Sequence, residues 1–308
     1  MLIKENTSLS LGAVPEEVAR PWMLKMKDYL QFMKVRLTLT VVISAAAGFM
    51  LASADVDMMR LVYLLLGGFL VTAASNGFNQ VMEKDSDALM TRTSQRPLPQ
   101  NRMQVKEGLW LAGTMGVAGT ALLWIMISPL CGILGALALI MYTLAYTPMK
   151  KRSPFAVFIG AFPGAIPPLL GWVAATGRID FGAWLLFGIQ FIWQFPHFWA
   201  IAWVLDDDYK KAGFRLLPSL EGRGKKSSFQ ILVYTIGLIP ITLLPYAFGM
   251  TGQISAVVVS LCGVMFFLQA FRLHMTGLHK AATQLMFGSF LYLPLVQIAL
   301  ILDKTGLP

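Results

Sequence analysis

Charged residues are scarce. Asp, Glu, Lys and Arg make up 13% of the 308 residues, against roughly 25% in an average soluble domain. That supply does not cover a water-facing surface, so a soluble globular enzyme is excluded. Cysteine is nearly absent. Cys131 and Cys262 both fall inside apolar runs, which argues for buried fillers and against a disulfide or a zinc site. Of the three histidines, only His197 lies within an apolar run, while His274 and His279 fall in a connection. Alternation of apolar and polar residues is also missing, which excludes a transmembrane barrel. Residues 1–24 carry Glu5, Glu16 and Glu17 and lack the apolar core of a signal peptide. They are too acidic and too poor in Arg for a mitochondrial transit peptide. The expectation is a bacterial plasma (inner) membrane.

Hydrophobic residues are abundant, at 56% of the chain with a mean hydropathy of +0.63. A bilayer core takes about 20 apolar residues per helix. The runs predict an all-α, polytopic membrane protein with nine spans at 33–53, 61–83, 105–127, 130–147, 155–176, 182–204, 229–248, 252–272 and 282–302. Residues 1–28 read as a cytoplasmic tail and 29–308 as a single transmembrane domain. The net charge of +9 raises the question of nucleic acid, but its distribution answers otherwise. With a cytoplasmic N-terminus and nine spans, all of the 25 Lys and Arg residues except Arg60, Arg178 and Lys304 fall on the inside. That is the positive-inside pattern of a bilayer protein, and no nucleic-acid partner is expected.

Two inside connections, 84–104 and 205–228, are long and charged. Each opens with clustered acids, Glu83, Asp85 and Asp87 in one and Asp206, Asp207 and Asp208 in the other, and each continues with basic residues. Four helices separate them, so both emerge on the same face as a repeat of layout. Asn79, Glu83 and Asp87 are spaced i, i+4, i+8 and share one face if the helix continues that far. Carboxylates at a helix end beside a bilayer are costly without cations among them. Hard oxygen ligands suit Mg2+, and Arg92 and Arg96 follow in the same connection. A guanidinium grips phosphate oxygens bidentately. The combination suggests a metal–diphosphate site at the membrane surface, with Asp208 and Asp207 facing it from the second connection. Lys150, Lys151 and Arg152 fit either phosphate contact or simple positive-inside topology. Tyr209 could donate to phosphate or pack at the interface, and Lys210 stands beside it.

Two further features lie inside spans. Pro163, Pro167 and Pro168 with Gly164 interrupt the fifth. Such residues are common in membrane helices, or the broken helix widens a cavity for a bulky ligand. His197 stands in Gln194-Phe-Pro196-His197-Phe198-Trp199. An imidazole in hydrocarbon serves either an interhelical hydrogen bond or a ligand such as a haem-like ring.

These residues together resemble the UbiA-type intramembrane prenyltransferases, and within them the haem-farnesylating branch. The resemblance covers nearly the whole chain after residue 25. Asn79, Glu83 and Asp87 match the first acidic motif, and Asp85, Met90, Arg92, Thr93, Arg96 and Pro97 match its extension in that branch. Tyr142-Thr143 with Lys151-Arg152, Gly164-Ala165 with Pro167-Pro168 and Gly171-Trp172, Trp193-Gln194 with Pro196-His197-Phe198, and Asp208-Tyr209 with Ala212-Gly213 and Leu217-Pro218 follow in order. Three positions depart from the pattern. Glu83 stands for the usual Asp, Ala156 stands near a frequent Asn, and Val204 occupies the position four residues before Asp208 where the wider family has an acid.

The resemblance implies Mg2+-dependent transfer of a farnesyl group from farnesyl diphosphate to the 2-vinyl group of haem B. Water adds and diphosphate leaves. Asn79, Glu83, Asp85, Asp87, Asp207 and Asp208 would serve as metal candidates. Arg92, Arg96, Lys151, Arg152, Tyr209 and Lys210 would serve the diphosphate, and His197 the haem. It also implies an active site on the cytoplasmic side and a possible haem A synthase or oxidase-assembly partner. A prenyltransferase acting on an aromatic quinone precursor and a transporter are the alternatives.

Overall fold

A computed structural model describes residues 21–305. In chain order the helices are α1 (Pro21–Met33), α2 (Val35–Ala52), α3 (Met58–Met82), α4 (Lys84–Leu89), α5 (Val105–Met126), α6 (Pro129–Met149), α7 (Ala156–Thr176), α8 (Phe181–Val204), α9 (Asp206–Lys211), α10 (Lys225–Ala247), α11 (Gln253–Thr276) and α12 (His279–Leu302). Nine of them, among the described residues, are long and apolar enough to cross a bilayer. The all-α polytopic architecture and the nine expected spans are therefore present.

The boundaries differ where charge sits close to a span. The seventh begins at Lys225, not 229, and the eighth runs on to Thr276. Helix α1 was not expected, because Lys25, Lys27 and Asp28 interrupt its apolar residues and hide it in the tail. It packs against α3 and the start of α5. Phe32 is buried against Gly77 and Gly108, Tyr29 donates to Glu107 (2.7 Å), and Arg102 donates to Asp28 (3.0 Å). Three of the spanning helices, α3, α6 and α8, start at a side-chain cap. The Asp57, Ser128 and Asp180 side chains accept from the amides of Arg60, Cys131 and Ala183.

Small residues set the packing, as expected where lipid supplies no hydrophobic drive between helices. Helix α7 is the most enclosed, with α2 pressed against it at two glycines. A Cβ at Gly171 would fall 1.9 Å from the Ala45 carbonyl oxygen, and one at Gly48 would fall 2.0 Å from that of Pro168. The prolines of α7 do not break the helix. The helix is continuous from Ala156 to Thr176. Pro168 has no amide for the Gly164 carbonyl, and Gln190 of α8 donates to that carbonyl instead (2.7 Å). Gln297 of α12 donates in turn to Gln190 Oε1 (3.2 Å) and to Ser44 (3.1 Å). The cavity left beside Pro168 and Gln190 is about 20 Å3, room for about one water.

Candidate active site

The i, i+4, i+8 ladder survives a break in the helix. Helix α3 ends at Met82 and Glu83 leaves helical geometry (φ −101°, ψ 11°). The Glu83 amide still donates to Asn79 O (2.9 Å) and the Asp87 amide to Glu83 O (2.7 Å), so the three side chains remain stacked. All three are buried. Buried carboxylates require cations, and each has one. Lys150 Nζ lies 2.9 Å from Glu83 Oε1 and donates to Oε2 at 3.1 Å. Arg96 Nη1 donates to Asp87 Oδ2 at 2.6 Å. Lys34 Nζ donates to Asn79 Oδ1 at 3.4 Å, while Asn79 Nδ2 donates to Thr147 Oγ1 at 3.3 Å. Asp87 Oδ1, fully buried, has no hydrogen-bond partner. Asp85 points the other way and is exposed.

Sequence reasoning passed over Lys34 and left Lys150 open between phosphate contact and positive-inside topology; the structure places both beside the acids. A lysine at the edge of a span reads as positive-inside topology, and neither has a local signal, since their partners lie 45 and 67 positions away. The structural signal at Lys34 is its backbone, left-handed at φ 49° and ψ 52° in the joint between α1 and α2. Such strain in a non-glycine residue persists where its surroundings impose it, often at functional sites. Lys150 follows the π-helical turn Met141–Tyr146 in α6, a distortion frequent at functional sites. Its ammonium sits 4.8 Å from the centre of the Tyr146 ring.

These charges act on one another. Burial, with repulsion from Arg96 and Lys150, pulls the Lys34 ammonium well below the usual lysine range. Burial also works against the Lys150 ammonium, but the Glu83 carboxylate outweighs it and raises its pKa. Burial lifts the Asp87 carboxyl above the usual range, with only partial offset from Arg96.

The second acidic segment meets the first, though not as expected. Three consecutive residues on one helical turn cannot face one way, and the inward one is Asp206, paired with Lys210 at 2.7 Å. Asp207, expected to face the site, is 77% exposed and pairs with Arg223 at 2.9 Å. Asp208 accepts from the backbone amides of Thr91 (2.8 Å) and Arg92 (3.2 Å) and from Lys211 (3.0 Å). Partial burial disfavours its charge, yet the two amides and Lys211 hold its carboxyl down to about 2. Arg92, Lys151, Arg152 and Lys210 are exposed, and Tyr209 is half-buried. Among the described residues no three His, Cys, Asp or Glu side chains converge as a preformed metal set.

His197 sits apart from the acids, seven residues inside α8, or about 10 Å along the axis from its end. Its Nδ1 lies 2.8 Å from Ser289 Oγ of α12. Its ring stacks on Trp193 (centroids 4.2 Å, 19°), and Trp193 Nε1 donates to the Ser289 carbonyl at 3.1 Å.

The model of the UbiA prenyltransferase family matches residues 41–293. A protoheme IX farnesyltransferase of Cytophaga hutchinsonii is 49% identical over 281 residues, covering 91% of this chain and 98% of the relative. One of Christiangramia forsetii is 43% identical over 284 residues, covering 91% and 94%. Among solved structures, a digeranylgeranylglyceryl phosphate synthase aligns with a TM-score of 0.77 at 20% identity, over 91% of this chain and 99% of its own. A UbiA homologue of Archaeoglobus fulgidus bound to GPP and Mg2+ aligns at 0.68 and 16% identity, over 89% and 99%. At that identity the two structures share the fold. The match to the family model and the identity to full-length relatives go further, and the chain belongs to the UbiA prenyltransferase family.

Proposed function

We propose that this enzyme transfers a farnesyl group from farnesyl diphosphate to the 2-vinyl group of protohaem IX (haem B), with addition of water, giving haem O and diphosphate. The observation that carries this reading is the buried Asn79–Glu83–Asp87 ladder, ringed by Lys34, Arg96 and Lys150, with Asp87 Oδ1 lacking any partner. An unpaired buried carboxylate oxygen is costly, and a hard divalent cation is what such an oxygen suits. Asn79, Glu83 and Asp87 would hold Mg2+, which when bound supplies positive charge to the departing diphosphate. Full-length relatives named for farnesyl transfer to protoheme supply the two substrates.

The chain's own groups do the rest. Arg96 from within the site, and Arg92, Lys151 and Arg152 from its rim, grip phosphate oxygens and stabilise the charge that builds on them. The allylic C–O bond breaks with its electron pair leaving on diphosphate. The terminal vinyl carbon bonds to the allylic carbon. A water oxygen adds at the other vinyl carbon and loses a proton. Apolar walls keep water from the allylic cation until the vinyl carbon attacks. Asp208 holds the Thr91–Arg92 backbone over the site, and Tyr209 and Lys210 flank that clasp. For haem, Ser289 fixes the His197 imidazole through Nδ1, as outer partners orient iron-ligating histidines. The polar end, and the N-terminus with it, faces the cytoplasm of a bacterial inner membrane.

Purified protein supplied with Mg2+, haem B and farnesyl diphosphate should yield a haem of longer chromatographic retention whose mass has gained a farnesyl group and water. Prenylation of 4-hydroxybenzoate with haem B untouched would overturn the reading in favour of a quinone-precursor enzyme. His197→Ala should shift the absorption spectrum of bound haem. An unchanged spectrum would leave His197 with only its interhelical bond.

A further inference from the structure

Helix α1 turns its charged side to the protein and an apolar side away from it. Asp28 is buried and accepts from Arg102 (3.0 Å), Lys25 pairs with Glu107 at 2.8 Å and donates to the Arg102 carbonyl at 3.2 Å, and Gln31 donates to the Gln95 carbonyl at 3.5 Å. Trp22, Met23, Met26 and Leu30 are instead 46–59% exposed among the described residues. At about 3.6 residues per turn these four fall within about 100° of arc, a stripe that no charged residue interrupts. A helix with that side in water carries the reverse pattern, its charges outward and its large apolar residues packed.

Depth identifies the surroundings of the stripe. Phe32, near the end of α1, packs on Gly77 and Gly108. Gly77 lies five residues inside the end of α3 and Gly108 three residues inside the start of α5, about 8 and 5 Å along the two axes. The end of α1 is therefore level with the last turns of two spans. Trp110, two residues beyond Gly108, is 76% exposed, at the depth where Trp is enriched in membrane proteins. Just past the Lys34 joint, the exposed residues are Leu37, Leu39 and Ile43 of a spanning helix. The stripe is thus continuous in depth and in chain with the lipid-facing surface.

We propose that α1 is an interfacial helix whose partner is the bilayer itself. Trp22, Met23, Met26 and Leu30 seat in the boundary between headgroups and acyl chains of the leaflet at the acidic end. Lys27 borders the stripe and Arg36 follows the joint, both exposed, where their long side chains reach headgroup phosphates. The other side of the helix keeps its bonds to Gln95, Arg102 and Glu107. One short helix therefore joins the membrane surface to the connection 84–104.

The test is nitroxide accessibility by electron paramagnetic resonance. It uses the full-length protein in nanodiscs of phosphatidylcholine and phosphatidylglycerol. Cys262→Ala removes the half-buried thiol, and Cys131 is fully buried. Spin labels are placed singly through Met26→Cys, Leu30→Cys and, as the water-facing reference, Gln100→Cys. Dissolved oxygen should relax the labels at 26 and 30 more strongly than a water-soluble nickel chelate does, and the order should reverse at 100. Labels at 26 and 30 that the nickel chelate reaches more readily than oxygen would put the stripe in water. Labels there that neither reagent reaches would put it under protein, a second copy of the chain included. Either of those results overturns the proposal and leaves the proposed reaction standing.

Discussion

Asp87 is a buried carboxylate whose two oxygens have different fates, one on Arg96 at 2.6 Å and one on nothing. Asp87→Asn keeps shape and volume and removes the charge that a metal needs. Turnover should fall by about 10²–10³-fold or more, while membrane fractionation finds the protein inserted at normal levels; normal turnover would take Asp87 out of the site. Lys34 separates substrate binding from folding differently. Asn tolerates the left-handed backbone that Lys34 adopts, so Lys34→Asn should leave the melting temperature unchanged. It should weaken binding of inorganic pyrophosphate in the presence of Mg2+ by about 10-fold. A fall in melting temperature with unaltered affinity would make Lys34 a structural residue. At this scale the ladder of Asn79, Glu83 and Asp87 was legible, because a period of four residues is a local signal. Lys34 was not, and Lys150 was legible only as one of a basic run, because their pairing with Asn79 and Glu83 exists only once α2 and α6 are brought beside α3.

Among elements, α2 and α7 meet backbone to backbone at Gly48 and Gly171, and the obstacle to any larger side chain there is backbone. A Cβ at Gly171 would meet the Ala45 carbonyl at 1.9 Å, which no rotamer change relieves. Gly171→Ala should cost about 1–3 kcal/mol or more and lower the detergent-solubilised melting temperature clearly. Gly188→Ala is the control, since its nearest neighbour would lie 3.5 Å away. That substitution should hold or raise stability, as Ala is about 1 kcal/mol the better helix former. Equal effects would mean that the α2–α7 contact is not tight. The spans were legible as elements because twenty apolar residues in a row admit few alternatives. Helix α1 was not, because its residues are mixed in polarity, and its partners Arg102 and Glu107 lie over seventy positions away. The proline cluster of α7 was legible as a disturbance but not in its outcome. Whether a freed carbonyl opens a cavity depends on a donor from another helix, here Gln190.

Across the whole molecule, the charge distribution separates two ends. The end bearing α4 and α9 holds the acids, the Thr91–Arg92 clasp and most of the basic residues. At the opposite end, Lys304 donates to the carbonyls of Met50 and Ser53, and Gly252 donates to the carbonyl of Asp303. That the two acidic connections share an end was legible from counting spans. That Asp208 spends its carboxylate on backbone amides was not, because only the folded loop puts those amides there. Lys and Arg are retained on the cytoplasmic side during insertion, so the acidic end should be the inner one and Arg178 should lie outside. The orientation can be read with a membrane-impermeant maleimide on intact cells. Cys131 is buried and Cys262 half-buried, both within spanning helices, so the native thiols supply a low background. Arg178→Cys, at an exposed loop position, should label in intact cells. Gln100→Cys, exposed beside the acidic segment, should label only after permeabilisation. The reversed pattern would place the diphosphate site on the outer face, away from the cytosolic supply of prenyl diphosphate, and the proposed reaction would lose its substrate.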